Sequence, residues 1–430
     1  MGAVPLQPAD RAILDLESET IAGHTCKVIR VGPGAPGVEA VRERVAERID
    51  RAPPLSWRLG GTPESPAWVP WEGFDVSRRV RPLDAEAPLT NDRIPEVVAR
   101  LFAQRLDRER PLWQIHHAST ADGGAVLIWR IHHSLADGTA CLRFARELLW
   151  DEEPPPAGPP LGRSERAYAP RSVPAHPDHA DDARRRAHLA AFIEREFGES
   201  LRRSPFDGRI GTRRRVAFAT VALAPLHDAA KRLAGATLND AVLSVVAGSL
   251  RRWLEHHHGS LGGVRVRVPV SLHHEGDEVA NRDSFFSLHL PLNEPAPVAR
   301  LRAVHRATAK RKEADDADER EQLLQELGSI SPRMSALCRR LEASPRSFAL
   351  SVSNVPGPRE AVSILGTQVE SVHSLAEIGA RHALRVSVVS LARNLHFGFC
   401  ADPALVDDLE AMARGVEGEA ARLIEAERPT

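Results

Sequence analysis

Residues 125–131, AVLIWRI, form an almost unbroken apolar run that stops at His132-His133-Ser134-Leu135-Ala136-Asp137-Gly138 and gives way to TACLRFARELLW. A run of this kind suits a strand covered on both faces better than a half-exposed one. In the segment that follows, Leu142, Ala145, Leu148 and Leu149 fall on one helical face. The chain must therefore build cover on both sides of this strand, and it carries two histidines and an aspartate at a strand-to-helix corner.

The same mixture recurs on either side. VEAVRERVAERID at 38–50 places Val38, Val41, Val45 and Ile49 at helical spacing among charges, and 93–106 repeats the pattern. Arg110-Pro111-Leu112-Trp113 then leads into a strand at Trp113–His117. Prolines crowd 152–177, which excludes regular structure there and reads as a linker, followed by an Arg/Glu-rich helix near 181–203. Beyond it, strands are expected at 216–223, 264–272, 285–292, 348–358, 384–391 and 395–400. Helices are expected at 225–234, from Thr237, over roughly 297–327 and from about 403. No fixed-period repeat is present. The reading is an α/β chain of two lobes: 1–150, a connecting stretch 151–204, and 205–430.

Composition removes several functions. The 57 Lys+Arg and 58 Asp+Glu give a net charge of −1, which supplies no global field for nucleic acid. Only Lys27, Lys231, Lys310 and Lys312 are lysines, so the positive charge is nearly all guanidinium. The four cysteines, Cys26, Cys141, Cys338 and Cys400, lie far apart, which indicates neither a zinc module nor a disulfide framework and fits a reducing compartment. No stretch approaches the roughly 18 apolar residues of a membrane span, so a cytoplasmic protein with at most peripheral membrane contact is expected. No G-x-S-x-G elbow, Walker motif or dinucleotide fingerprint occurs.

Adjacent histidines at a strand end point to opposite faces, so only one of His132 and His133 can face a cleft. Asp137 can brace a ring or the loop, and Gly138 permits a tight turn into the helix. The arrangement suits a positioned general base. The alternatives are two structural histidines or a metal site; the latter is weakened because the side chains diverge and the i, i+4 pair is missing. Cys141 lies within the apolar helical face and reads as packing. Thr237 with Asp240 reads equally as a capping box opening a helix, and Trp113 as a core residue starting a strand.

HHSLADG resembles the HHxxxDG motif of CoA-dependent acyltransferases, a superfamily that includes chloramphenicol acetyltransferase and condensation domains. More closely, the chain resembles the bacterial wax ester synthase/diacylglycerol acyltransferase family. The likeness rests on ordered blocks: Asp10 in LQPADRAIL, Arg110–Trp113, the His motif, Thr237-Leu238-Asn239-Asp240, Val268-Pro269-Val270-Ser271-Leu272, Asn281-Arg282 and Ser353-Asn354-Val355-Pro356-Gly357-Pro358. It implies two chloramphenicol-acetyltransferase-like lobes, mixed sheets flanked by helices, with a substrate tunnel between them. Within it His133 is the general base, His132 a neighbour that shapes the site, Asp137 mainly a brace and Gly138 the turn. Asn239 is implied to orient the alcohol or donate to an oxyanion, with Asp240, Asn354 and Trp113 as substrate-binding candidates. Where the family commonly carries Arg after Pro-Val-Ser-Leu, this sequence has His273-His274.

The expected activity is transfer of a fatty acyl group from acyl-CoA, a co-substrate and not a cofactor, to diacylglycerol or a long-chain alcohol, without a covalent intermediate or metal. Such acceptors imply a visit to a membrane or lipid-droplet surface through an exposed apolar patch. A secondary-metabolite alcohol or amine, a carrier-protein thioester donor, and an idle acyl-binding paralogue stay open, as does a homodimer.

Overall fold

The computed structural model describes residues 3–62, 64–84, 87–151, 204–259, 261, 263–271, 283–313 and 348–426. The Pro-rich stretch and its following helix, Asn281-Arg282, His273-His274, Cys338 and the helical reading beyond 313 lie outside these residues.

In chain order the first part runs β1 (Val4–Pro5), α1 (Pro8–Asp15), β2 (His24–Val31), α2 (Val38–Arg48), β3 (Trp57–Gly61) and β4 (Pro66–Pro70). It continues with β5 (Val80–Pro82), α3 (Ile94–Phe102), β6 (Trp113–Ser119), β7 (Ala125–His132) and α4 (Gly138–Leu148). The second part runs β8 (Arg215–Ala222), α5 (Leu223–Ala234), α6 (Leu238–His258), β9 (Arg265–Ser271), β10 (Asp283–His289) and α7 (Pro297–Glu313). It ends with β11 (Leu350–Val355), β12 (Ser363–Ile364), β13 (Thr367–Ala376), β14 (Leu384–Leu391), β15 (Asn394–Ala401) and α8 (Leu409–Glu425).

Two six-stranded sheets organise these elements, in orders β12-β13-β2-β7-β6-β5 and β10-β9-β11-β14-β15-β8, beside a small β1-β4-β3 sheet. Every residue of β7 is buried, as its apolar run requires. Leu127, Trp129 and Ile131 face a core shared with Val41 and Val45 of α2 and Leu142, Ala145 and Leu148 of α4. Val126 and Ile128 face the opposite core, where α3 residues Val98 and Phe102 meet β8 and α6 of the second part. The division at residue 205 needs one correction. Ser363–Ala376 lies in the second half of the sequence but pairs through β13 with β2, so it completes the first sheet. Both β2 and β13 carry polar residues that break the apolar pattern, and neither is read as a strand from sequence.

The two sheets meet along β13 and β14. Gly398 of β15 permits this closeness, since a Cβ there would lie 2.0 Å from the Ser374 carbonyl oxygen. A buried ion pair holds the same seam: Arg214 Nε donates to Glu377 Oε1 at 2.8 Å, while Glu377 Oε2 accepts the Ala22 amide at 3.1 Å.

Candidate active site

The corner after β7 is fixed residue by residue. The His132 ring is fully buried. Its Nδ1 accepts the Ser134 amide at 3.2 Å and lies 2.6 Å from Ser134 Oγ, and its Nε2 faces Glu17 Oε1 at 2.6 Å. Glu17 also receives Arg108 Nε at 2.9 Å. Burial works to raise the Glu17 carboxyl, but His132 and Arg108 outweigh it and hold it below the usual carboxylate range. The Ser134 amide donating to Nδ1 and the Glu17 carboxylate beside Nε2 hold this ring in place, outside the cavity wall.

His133 points the other way. Its amide donates to the Gly23 carbonyl at 2.9 Å, and its ring borders a cavity of about 60 Å³ at the seam between the sheets. Burial and the Arg385 guanidinium push the imidazole down to about 4, against the pull of Asp137. It is therefore a neutral acceptor at pH 7, the form a general base needs. Gly23, at φ +72°, makes room for this pair: a Cβ there would meet His132 Nε2 at 2.5 Å.

Asp137 caps α4, its carboxylate accepting the Ala140 amide at 2.7 Å, and is 1% exposed. Gly138 faces a steric limit as well as opening the helix. It is absent from the positive-φ residues, and a Cβ there would come within 3.1 Å of Val355 Cγ2 from β11. The glycine lets the corner of one sheet pass under a strand of the other. The Asn-Val-Pro-Gly-Pro block supplies that strand end. Gly357 sits where a Cβ would strike the Ser390 carbonyl at 2.0 Å, and its amide donates to Ser390 Oγ at 2.9 Å. Asn354 is thereby brought to the cavity, which also has Thr25, Thr139, Ser353, Ser374, Arg385 and Ser387 in its wall.

Three expected site residues lie elsewhere. Trp113 is fully buried in the first core, its indole N–H donating to the Leu55 carbonyl at 2.6 Å and its ring packed edge-on to Trp129. Asp240 is used within the second lobe: it accepts the Thr237 amide at 2.9 Å in a capping box and Thr308 Oγ1 at 2.6 Å, with His305 Nδ1 at 2.9 Å. Burial raises its carboxyl, but these hydrogen bonds prevail and hold it low. Asn239, half-buried in the first turn of α6, is not in the cavity wall. Cys141 is fully buried, and burial pushes its thiol up to about 11, which leaves it a packing residue. Glu17, Gly23, Ser374 and Arg385 escape sequence reasoning, since none belongs to a spaced motif, and Ser134 escapes it because it fills a variable position of the His motif. Among the described residues no cluster of three or more His, Cys, Asp or Glu side chains is placed to hold a metal.

This two-sheet architecture is shared with a wax ester synthase/diacylglycerol acyltransferase and with condensation domains. The wax ester synthase/diacylglycerol acyltransferase from Marinobacter aquaeolei VT8 superposes with a TM-score of 0.72 over 99% of both chains at 22% identity. The first condensation domain of the CDA synthetase gives 0.60 over 99% of this chain and 97% of that one at 17% identity. At these identities the likeness is one of fold. Residues 6–242 match the wax ester synthase/diacylglycerol acyltransferase catalytic domain and residues 279–423 the WS/DGAT C-terminal domain, so the chain belongs to that family and is an acyltransferase. The probable diacylglycerol O-acyltransferase tgs1 of Mycobacterium tuberculosis (strain ATCC 25618 / H37Rv) is 28% identical over 446 residues, covering 95% of this chain and 94% of its own. A putative diacylglycerol O-acyltransferase of the same strain is also 28% identical, over 444 residues, with 95% and 93% covered.

Proposed function

We propose that this acyl-CoA-dependent O-acyltransferase esterifies a lipid hydroxyl, that of diacylglycerol or a long-chain alcohol, with His133 as its general base. The observation that carries the reading is the division of labour between the histidines: His132 is locked against Glu17, and His133 borders the cavity in neutral form. His133 takes the proton of the attacking hydroxyl as its oxygen bonds to the thioester carbonyl carbon. It returns that proton to the CoA sulfur as the C–S bond breaks. No acyl-enzyme is needed.

Among the described residues the cavity at His133 has a volume of about 60 Å³, room for the reacting atoms. Asn354, in the cavity wall, is our candidate to bind the acceptor oxygen. Lipid acceptors are collected at a membrane or droplet surface. No single helix among the described residues is long and apolar enough to cross a membrane, and their large exposed apolar side chains are only Val4 and Leu16. The broad apolar patch expected from sequence is thus not found among them.

The test is thiol release from palmitoyl-CoA by wild type and His133→Ala, with and without 1-hexadecanol or dioleoylglycerol, and identification of the lipid products by mass spectrometry. Acceptor-dependent release with ester formed, lost in the variant, is the expected result. Release that needs neither acceptor nor His133 removes the proposal, and ester formed only with amines or polar alcohols redirects it to another acceptor.

A further inference from the structure

Lys27 lies in the middle of β2 and is 1% exposed, a placement unfavourable for an ammonium unless it is compensated. Among the described residues its direct polar partner is Ser374 Oγ, at 2.7 Å on the neighbouring β13, where the two residues stand opposite in register. Ser374 is in the wall of the His133 cavity, and Lys27 stands behind it. Thr25, two residues before Lys27 and on the same face of β2, borders the His133 cavity, and Ser374 borders it directly. A Cβ on Gly138 would lie 4.0 Å from Lys27 Nζ. Burial pulls the Lys27 ammonium below its usual range, against the opposing pull of the Asp137 carboxylate, and the nearby thiols of Cys26 and Cys141 are pushed up by burial to about 12 and about 11.

An ammonium has three donors and no acceptor, so in this contact Lys27 donates and Ser374 Oγ accepts. The hydroxyl hydrogen of Ser374 is thereby turned away from Lys27, and no acceptor among the described residues takes it. It remains available on the cavity side, on an oxygen polarised by a cation behind it. Asn239, the sequence candidate for an oxyanion donor, does not reach this wall.

We propose that Ser374 donates its hydroxyl hydrogen to the thioester carbonyl oxygen as that oxygen becomes an oxyanion, and that Lys27 is the positioning residue that turns and polarises Ser374 for this task. The inference rests on the acyl-transfer reading with His133 as base. As the acceptor oxygen bonds to the carbonyl carbon, the carbonyl π pair moves onto oxygen and is held by the Ser374 O–H. When that pair returns, the C–S bond breaks and the CoA sulfur takes the proton carried by His133. Ser374 neither gains nor loses a covalent bond.

The test is steady-state kinetics of Ser374→Ala, Ser374→Thr, Lys27→Met and the Lys27→Met/Ser374→Ala double variant, with palmitoyl-CoA and dioleoylglycerol, alongside thermal melts. Removal of one such donor lowers kcat by about 10²–10³-fold, so Ser374→Ala is expected in that range with KM within about threefold of wild type. Ser374→Thr, which keeps the hydroxyl, should recover most of the rate. Lys27→Met should slow kcat although Ser374 is present, and the double variant should be no slower than Ser374→Ala, because the two residues act as one unit. If Lys27→Met fails to fold, the Ser374 pair decides alone. A Ser374→Ala rate within about threefold of an active wild type overturns the proposal, as does a double variant whose losses multiply. An acyl group found on Ser374 by mass spectrometry after incubation without acceptor also overturns it, since Ser374 is then a nucleophile. A wild type with no acceptor-dependent release fails the acyl-transfer reading itself, and this inference with it.

Discussion

Lowering the pH from neutral to 5 should destabilise this protein well before its carboxylates titrate, because buried imidazoles are held neutral, His133 and four others. Burial drives His24 down to about 3 and His116 to about 4, and it drives His373 to about 3 and His396 to about 4. All four side chains are within the cores or at their edge, none more than 9% exposed. In the unfolded chain each titrates near 6.5. A folded pKa below the unfolded one means that the unfolded state takes up protons first, so stability is complete above about 6.5 and is lost as the pH falls toward the folded values. At pH 5 each histidine is 1.5 units below its unfolded midpoint and still neutral in the fold, which costs about 2 kcal/mol at 1.36 kcal/mol per unit. With His133, also held near 4, five such groups give a ceiling of about 10 kcal/mol, comparable with the whole stability of an ordinary domain. The His373 and His396 rings lie 5.0 Å apart, so their contributions are less than additive. Glu377, raised by burial against its Arg214 partner, works in the opposite direction and offsets part of the loss. Urea unfolding followed by far-UV circular dichroism at about pH 7, 6 and 5 measures the effect. The midpoint should fall steeply between 6.5 and 5, and His396→Gln should flatten the slope. A midpoint unchanged over that interval would refute the argument.

The catalytic profile should behave oppositely to the stability. With His133 held near 4, kcat/KM is expected to stay flat from about pH 8 to 5.5 on freshly diluted enzyme, and an acid limb centred near 6.5 would show the base to be an ordinary exposed histidine. Gly23→Ala places a methyl 2.5 Å from His132 Nε2 at φ +72°, and backbone strain with overpacking should cost about 2–4 kcal/mol and much of kcat; stability within 0.5 kcal/mol of wild type in urea would refute the steric account. Asp240→Ala removes the capping box and the ties to α7, so about 2–3 kcal/mol of stability should go with little change in KM for either substrate. A KM raised tenfold in that variant would return Asp240 to the substrate site.

The elements that sequence reading finds and those it misses differ for one physical reason. AVLIWRI, VAFATVAL, LRVSVVSL and the helix from Thr237 bury apolar side chains, and their periodicity is the direct trace of that burial. β2 and β13 bury His24, Thr25, Lys27, His373 and Ser374, so the periodicity is broken in the two strands that meet at the cavity. Their partners are also far away: Lys27 stands opposite a residue almost a whole chain length later, and no local signal specifies such a pairing. The His motif is legible because strand, corner and helix lie within one short segment, which also allows the sequence to say that only one histidine faces the cleft. Which one does so depends on Glu17, Gly23 and Ser134, two of them over a hundred residues from the ring they constrain. Trp113 and Asp240 err the other way. They belong to prominent blocks, yet one fills a core and the other closes a helix, tasks that need a large ring or a cap as strictly as binding needs a ligand. A block match therefore identifies positions that the fold requires, and a polar residue buried in a strand without an apolar pattern is the better pointer to chemistry. Lys27 and Ser374 are such a pair, and neither lies in any of the blocks that identify the family.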